Sequence, residues 1–308
     1  MLAILAPGQG AQTPGFLAPW LDDPAARDQL AALSEVAGVD LAHYGTEADA
    51  ETIRATDIAQ PLLVAAGVVA GQALLTDGTV PDVVAGHSVG EITAAALTGV
   101  LSPADAMAFV ATRGRGMAAA SALRETSMMA VVGGKPDEVL AAIAAAGLTA
   151  ANNNGSGQIV AAGTVEELAE LKANPPARAR LIPLSVAGAF HTVHMLPAVA
   201  ELEAVAAGLT TAAPDTRLLS NAHGAVVDDG AEALRRLVSQ VGNPVRWDLC
   251  LATLAELGVT GILELPPAGT LTGIAKRNLK GVALFNLNTP DQLADARAFV
   301  AEHAGVTA

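Results

Sequence analysis

Residues 82–99 read DVVAGHSVGEITAAALTG. An apolar run, Val83 to Ala85, stops at Gly86-His87-Ser88-Val89-Gly90, and EITAAAL after it has the composition of a helix with an acidic first turn. A serine between two glycines where strand gives way to helix is the Gly-x-Ser-x-Gly elbow. The backbone folds so tightly there that the flanking positions must be small, and the serine oxygen is lifted to the carboxyl edge of a sheet. With 30 glycines in 308 residues, chance supplies roughly 0.09 such strings, before a strand and a helix are required on either side. The N–H of Val89, the residue after the serine, opens the helix and can stabilise an oxyanion.

Working outward, LAILAP reads as a first strand, followed by helices near 24–37 and 61–76 and then the strand DVVAG. A helix runs from about Val89 to Thr98, and Ser102-Pro103 caps another that reaches about Ala120. Such alternation predicts an α/β fold with a parallel sheet. Residues 124–187 change rhythm to strand, helix, strand, strand, helix, strand (TSMMAVV, PDEVLAAIAAAG, LTAANNN, GQIVAAG, TVEELAELKAN, ARLIPLS), which is the βαββαβ order of a ferredoxin-like unit. The expected organisation is a discontinuous, α/β-hydrolase-like large domain, 1–123 and 188–308, with a small ferredoxin-like subdomain, 124–187, inserted in it.

The bulk composition narrows the function classes. A formal net charge of −14 repels nucleic acid phosphates and anionic lipid surfaces, so neither is an expected partner. Hydrophobic residues make up 52% of the chain, aromatics 3%, and the mean hydropathy is +0.42, which suits helices lying closely on a sheet of small branched residues. The only cysteine, Cys250, rules out an intrachain disulfide and fits a reducing cytoplasm. MLAILA is too short for a signal segment, and PLLVAAGVVAGQALL, with two glycines, falls short of a bilayer span.

A serine hydroxyl needs a base. Of six histidines, His43 and His303 read as solvated, His87 as projecting to the other side of the turn, and His223 as a turn residue. His191 and His194 remain, in GAFHTVHMLPAVAEL, where the chain re-enters the large domain. His191, at the loop-to-helix boundary, is the better base, and His194 one turn on reads as a packing or hydrogen-bonding residue. The pair could also bind a metal, but no cysteine or carboxylate of ligand spacing lies close by. No triad acid stands out: Asp105, Asp137, Glu138, Glu166 and Glu167 all fall in helix first turns, where capping explains them.

Five stretches in order, APGQGAQ (6–12), GHSVGE (86–91), TRGRGM (112–117), GAFHTVHM (188–195) and SQVGNPVRW (239–247), resemble the malonyl-CoA:acyl carrier protein transacylases and the related acyltransferase domains of polyketide synthases. The resemblance spans nearly the whole chain and implies the architecture above. It also implies ping-pong acyl transfer, in which Ser88 takes malonyl from CoA, His191 accepts its proton, and the phosphopantetheine thiol of acyl carrier protein takes the group onward. By the same resemblance the oxyanion hole is Val89 and, through a main-chain N–H, Gln9; a main-chain carbonyl at Gln240 holds the histidine; and Arg113 grips the malonyl carboxylate. A free carboxylate in a closed pocket must be paired, and a guanidinium fork can hold it with two parallel hydrogen bonds. Ala189-Phe190-His191 fits the malonyl type, with Phe190 narrowing the pocket, and Met117 and Asn154 are further substrate-binding candidates. Ile92 departs from the aromatic that many members carry.

No cofactor is implied. TRGRGMAA lies inside a helix with no strand before it, and APGQGAQT lacks the third glycine, so no nucleotide site is indicated. The rival is a serine hydrolase or thioesterase delivering the acyl group to water, which would have no need of a buried Arg113. Lys276, Arg277 and Lys280 form the densest cationic cluster of an acidic chain. They are either a docking patch for acyl carrier protein or a solvated helix end. A monomer is the simplest expectation.

Overall fold

A computed structural model describes residues 1–305 apart from Asp77 and Thr79. Its strands are β1 (Leu2–Ala6), β2 (Val83–Gly86), β3 (Thr126–Gly133), β4 (Thr149–Asn153), β5 (Gln158–Thr164), β6 (Ala179–Pro183), β7 (Arg217–Leu219), β8 (Val226–Val227), β9 (Val245–Arg246), β10 (Gly261–Glu264) and β11 (Ala283–Asn286). Together with twelve α-helices among the described residues they form an α/β fold built on two sheets.

The larger sheet has the order β11-β10-β1-β2-β7-β8. Its first four pairings are parallel, but β8 turns back antiparallel on β7, so the sheet is mixed and not wholly parallel as its sequence rhythm suggests. The cause is the short SNAHGAVV connection, which has room for a tight return and none for a crossover helix. In β1, Leu2, Ile4 and Ala6 face one apolar cluster while Ala3 and Leu5 face another across the sheet. Both faces are covered by helices, which is why LAILA shows no polar alternation.

Thr56–Leu74 packs almost all round within the core. It begins five residues before the expected start, taking in Pro61 near its beginning, and by length and composition alone it could span a bilayer. Elsewhere the ends follow the capping residues: the Ser102 side chain accepts from the Asp105 N–H with Pro103 in the first turn, and Thr164 and Glu167 make a capping box.

The smaller sheet runs β6-β3-β5-β4-β9, antiparallel except for the last pairing. Met128, Ala130, Val160 and Ala162 turn one face toward the main core, while Met129, Val131, Ile159 and Ala161 pack under Val139, Ile143, Leu168 and Leu171 of the two helices between its strands. The two-residue strand β9 comes from outside 124–187 and pairs with β4, so the smaller sheet is completed by the chain that follows Gln240.

Candidate active site

Ser88 follows directly on β2 with φ 53°, a left-handed conformation that a side-chain-bearing residue adopts at a cost of roughly 1–2 kcal/mol. The residues two positions to either side can only be glycine. A Cβ on Gly86 would collide with the Gly90 carbonyl carbon, and one on Gly90 would collide with the Ala6 oxygen at the end of β1. The helix Gly90–Leu97 starts immediately afterwards. The serine therefore stands at the carboxyl ends of two central parallel strands, where open α/β sheets place their ligands.

His191 reaches the serine from the chain that returns after the smaller sheet. Its Nε2 lies 2.7 Å from Ser88 Oγ, and its Nδ1 lies 2.9 Å from the Gln240 carbonyl oxygen. A carbonyl accepts only from an N–H, so Nδ1 carries the proton and Nε2 is free to accept one. His191 also has a positive φ, 61°, and the Thr192 hydroxyl bonds back to Ala189 to close its turn. Burial, reinforced by the nearby Arg113 charge, pushes the imidazole down to about 3, so it is neutral at ordinary pH and its Nε2 lone pair is unprotonated. His194 is half-buried beside the Thr192 hydroxyl, which accepts its main-chain N–H.

Arg113, on the helix Pro103–Ala122, is 1% exposed. Its Nη1 donates to Gln60 Oε1 at 2.7 Å, and its Nη2 donates to Gln240 Oε1 at 2.9 Å and to Ser88 Oγ at 3.4 Å. All three acceptors are uncharged. Burial lowers its pKa to about 10, partly offset by the Glu91 carboxyl, so the guanidinium stays charged. Arg115, two residues on, is exposed.

A cavity of about 250 Å³ opens over Ser88 and His191 and is lined also by Gln9, Gln60, Met117, Asn154 and Phe190, while Arg113 reaches it only through its bonds to Ser88 and Gln60. Val89 is buried beneath the elbow. Among the described residues, the main-chain N–H groups of Gln9 and Val89 meet no acceptor, whereas those of Ser88, Gly90 and Gly10 are each bonded. The Gln9 side chain is tied away from the serine, to Thr56 Oγ1 and Gln60. Lys276 and Arg277 are exposed in the last turn of the helix Thr270–Asn278, whose Ile274 lines the cavity, with Lys280 just beyond. Arg277 also reaches the smaller sheet, donating to Gln158 Oε1 at 3.0 Å.

At the site itself, one expectation is overturned. His87 does not project away from the serine but lines the same cavity, its Nε2 3.0 Å from Asn154 Oδ1 and its ring edge-on to Trp247. Room for it exists because the facing residue is Gly8, where a Cβ would lie 2.7 Å from the His87 oxygen. Burial lowers the His87 pKa, which leaves the ring neutral. Three residues not singled out in the sequence also belong to the site. Gln60 holds Arg113; Asn221 accepts the Ser88 N–H at 2.8 Å and donates to the Gly86 carbonyl at 2.8 Å; and Glu91 lies buried behind both Asn221 and Gln240. Only the proximity of Glu91 to the elbow gave any signal in sequence. Among the described residues no group of three His, Cys, Asp or Glu is placed to hold a metal ion.

A half-buried serine paired with a buried histidine, with a guanidinium beside the nucleophile, is acyl-transfer chemistry. The profile of the acyl transferase domain family matches residues 5–297, and the chain belongs to that family. Within it, a malonyl CoA-acyl carrier protein transacylase of Mycobacterium tuberculosis is 52% identical over 296 residues, covering 95% of this chain and 98% of that protein. One of Bacillus subtilis is 33% identical, covering 94% of each. The crystal structure of MCAT from Mycobacterium tuberculosis superposes with a TM-score of 0.94 at 51% identity, covering 96% of this chain and 99% of that one. A type II PKS acyl-carrier protein in complex with its malonyl-transacylase superposes with a TM-score of 0.89 at 29% identity, covering 96% and 99%.

Proposed function

We propose that this acyltransferase moves malonyl from malonyl-CoA to the phosphopantetheine thiol of acyl carrier protein through a malonyl-Ser88 intermediate. One observation carries the reading: Arg113, fully buried, points at the Ser88 hydroxyl and meets only neutral acceptors. A buried cation beside a nucleophile suits an acyl group that ends in a carboxylate, and the relatives' names point to malonyl.

In the first half-reaction His191 Nε2 takes the Ser88 proton as Oγ attacks the thioester carbonyl carbon. The oxyanion is held by the N–H groups of Val89 and Gln9, and collapse breaks the C–S bond while imidazolium returns the proton to the CoA sulfur. The second half runs the same steps in reverse, with the carrier thiol giving its proton to His191. The Gln240 carbonyl keeps Nδ1 protonated and replaces a triad carboxylate. Met117, Asn154 and Phe190 shape the acyl pocket. The reading needs no cofactor or metal, and a monomer suffices for it, since Ser88, His191 and Arg113 come from one chain.

The larger sheet and its helices read as a hydrolase-like domain, 1–123 and 188–308. The β6-β3-β5-β4 order with antiparallel neighbours supports a ferredoxin-like subdomain over 124–187. For the acidic carrier, Lys276, Arg277 and Lys280 beside the cavity mouth are the docking patch. Reversing the charge at Lys276 and Arg277 slows transfer to the carrier and leaves acylation by malonyl-CoA unchanged; equal rates of transfer would dismiss the patch.

The deciding experiment incubates the enzyme with radiolabelled malonyl-CoA, then adds acyl carrier protein. Label should remain on Ser88 until the thiol protein arrives and then move to it. Release to water at the same rate without the carrier would establish a hydrolase instead.

A further inference from the structure

Behind the reacting groups lies a polar layer that the mechanism above does not use. Glu91 is 5% exposed, three residues after the nucleophile in the first turn of the helix Gly90–Leu97. Its Oε1 accepts the Asn221 main-chain N–H at 2.7 Å, and its Oε2 accepts the Gln240 side-chain amide. These two partners hold everything that reacts. Asn221 Oδ1 accepts the N–H of Ser88, the Gln240 carbonyl accepts His191 Nδ1–H, and Gln240 Oε1 accepts Arg113.

The direction of each bond is forced. A guanidinium is donor-only, so Gln240 must turn its oxygen toward Arg113 and its NH₂ the other way. That NH₂ is buried and needs an acceptor, which Glu91 supplies, with Asn221 Oδ1 at 3.3 Å as a second. Glu91, as a carboxylate, offers acceptors only, so the chain Arg113 to Gln240 to Glu91 has one possible polarity. A glutamine at 91 would present an amide with one acceptor and one donor to two donors. Turning the Gln240 amide over to meet it would set NH₂ against the guanidinium.

We propose that Glu91 is a positioning residue of the acyl-transfer site, fixing through Asn221 and Gln240 the orientation of Ser88, His191 and Arg113. The proposal rests on the reading of Ser88 as nucleophile and His191 as base. Burial raises the Glu91 carboxyl to about 8 despite the Asn221 N–H and the Arg113 charge; the acceptor-only form is assigned from geometry, because each of its two oxygens meets an N–H donor.

The test measures labelling of Ser88 by a fluorophosphonate, a neutral serine-reactive probe, because a carboxylate introduced at 240 would share Arg113 with a malonyl substrate. Glu91→Gln should slow labelling about 10- to 100-fold, the scale of a lost hydrogen bond to a charged group. The double variant Glu91→Gln, Gln240→Glu restores the order of donors and acceptors, since the new amide at position 91 donates to the new carboxylate at position 240, which accepts from Arg113, and it should recover most of the rate. Labelling of Glu91→Gln at the wild-type rate, or a double variant as slow as the single one, would overturn the proposal. If Glu91→Gln does not fold, the double variant alone decides: labelling near the wild-type rate supports the proposal, and labelling 10- to 100-fold slower overturns it. Malonyl-CoA is tried on the wild type in parallel: failure to acylate while the probe labels Ser88 counts against the malonyl reading and leaves the Glu91 comparison intact.

Discussion

The two walls of the cleft are built from different materials. On the side of the larger sheet, Ser88, His191, Arg113, Gln60 and Gln240 are polar, nearly all buried, and joined by directed hydrogen bonds, and two of them sit at left-handed φ. On the smaller sheet, Met128, Ala130 and Val160 present side chains from alternate positions of β3 and β5, with Asn152 and Asn154 beside them. One wall stores strain and charge; the other supplies shape. The bond between His87 and Asn154 crosses between them. Chemistry should therefore be lost by touching the first wall, and selectivity or affinity altered by touching the second.

The sharpest break is at the nucleophile. Ser88→Ala and His191→Ala should each lower malonyl transfer by on the order of 10⁴–10⁶-fold, with Ser88→Ala taking up no label from malonyl-CoA. Next is Arg113→Ala, which should cost about a hundredfold or more with malonyl-CoA, on the scale of roughly 3–5 kcal/mol for an unpartnered buried charge, and little with acetyl-CoA. An equal loss for both substrates would refute the carboxylate role. On the opposite wall, Asn154→Ala should raise KM for malonyl-CoA about two- to tenfold with kcat nearly unchanged, the size of one neutral hydrogen bond. A collapse of kcat there would erase the division between the walls.

The pH dependence gives a subtler contrast. His191 titrates at about 3 in the folded protein and near 6.5 when unfolded. Between those values the unfolded chain binds a proton that the folded one does not, so folding stability falls as pH drops from about 6.5 toward 3. Acylation measured in single turnovers should stay level well below pH 6.5, and the acid sensitivity of unfolding should be weaker in His191→Ala. An acid limb of acylation near pH 6.5 would mean that the imidazole is far more solvated than its burial shows.

The elbow was legible because its constraint is local. Gly86 and Gly90 are demanded by contacts with each other and with β1 that no other residue allows. The orders of strands and helices were legible from periodicity for the same reason. What escaped depends on distant chain segments meeting. Gln60 is one glutamine in a long apolar helix, Asn221 one asparagine in a loop, and their meaning arises only when burial leaves Arg113 and the Ser88 N–H in need of acceptors. His87 was misplaced because the turn alone does not reveal that Gly8, 79 positions earlier, leaves room for an imidazole on the cavity side. Strands β8 and β9, two residues each, carry too little pattern to be read at all.

Strand β9 has a mechanical implication. The Arg246 N–H bonds to the carbonyl of Asn221, the residue that clamps the elbow, while β9 itself is zipped to β4 and Asp248 receives the Asn153 amide. A tilt of the smaller sheet to admit a bulky thioester cannot proceed as a free jaw. It must either unzip that short seam or drag on the strap that anchors the nucleophile, so widening the mouth and relaxing the reactive centre are geared to each other.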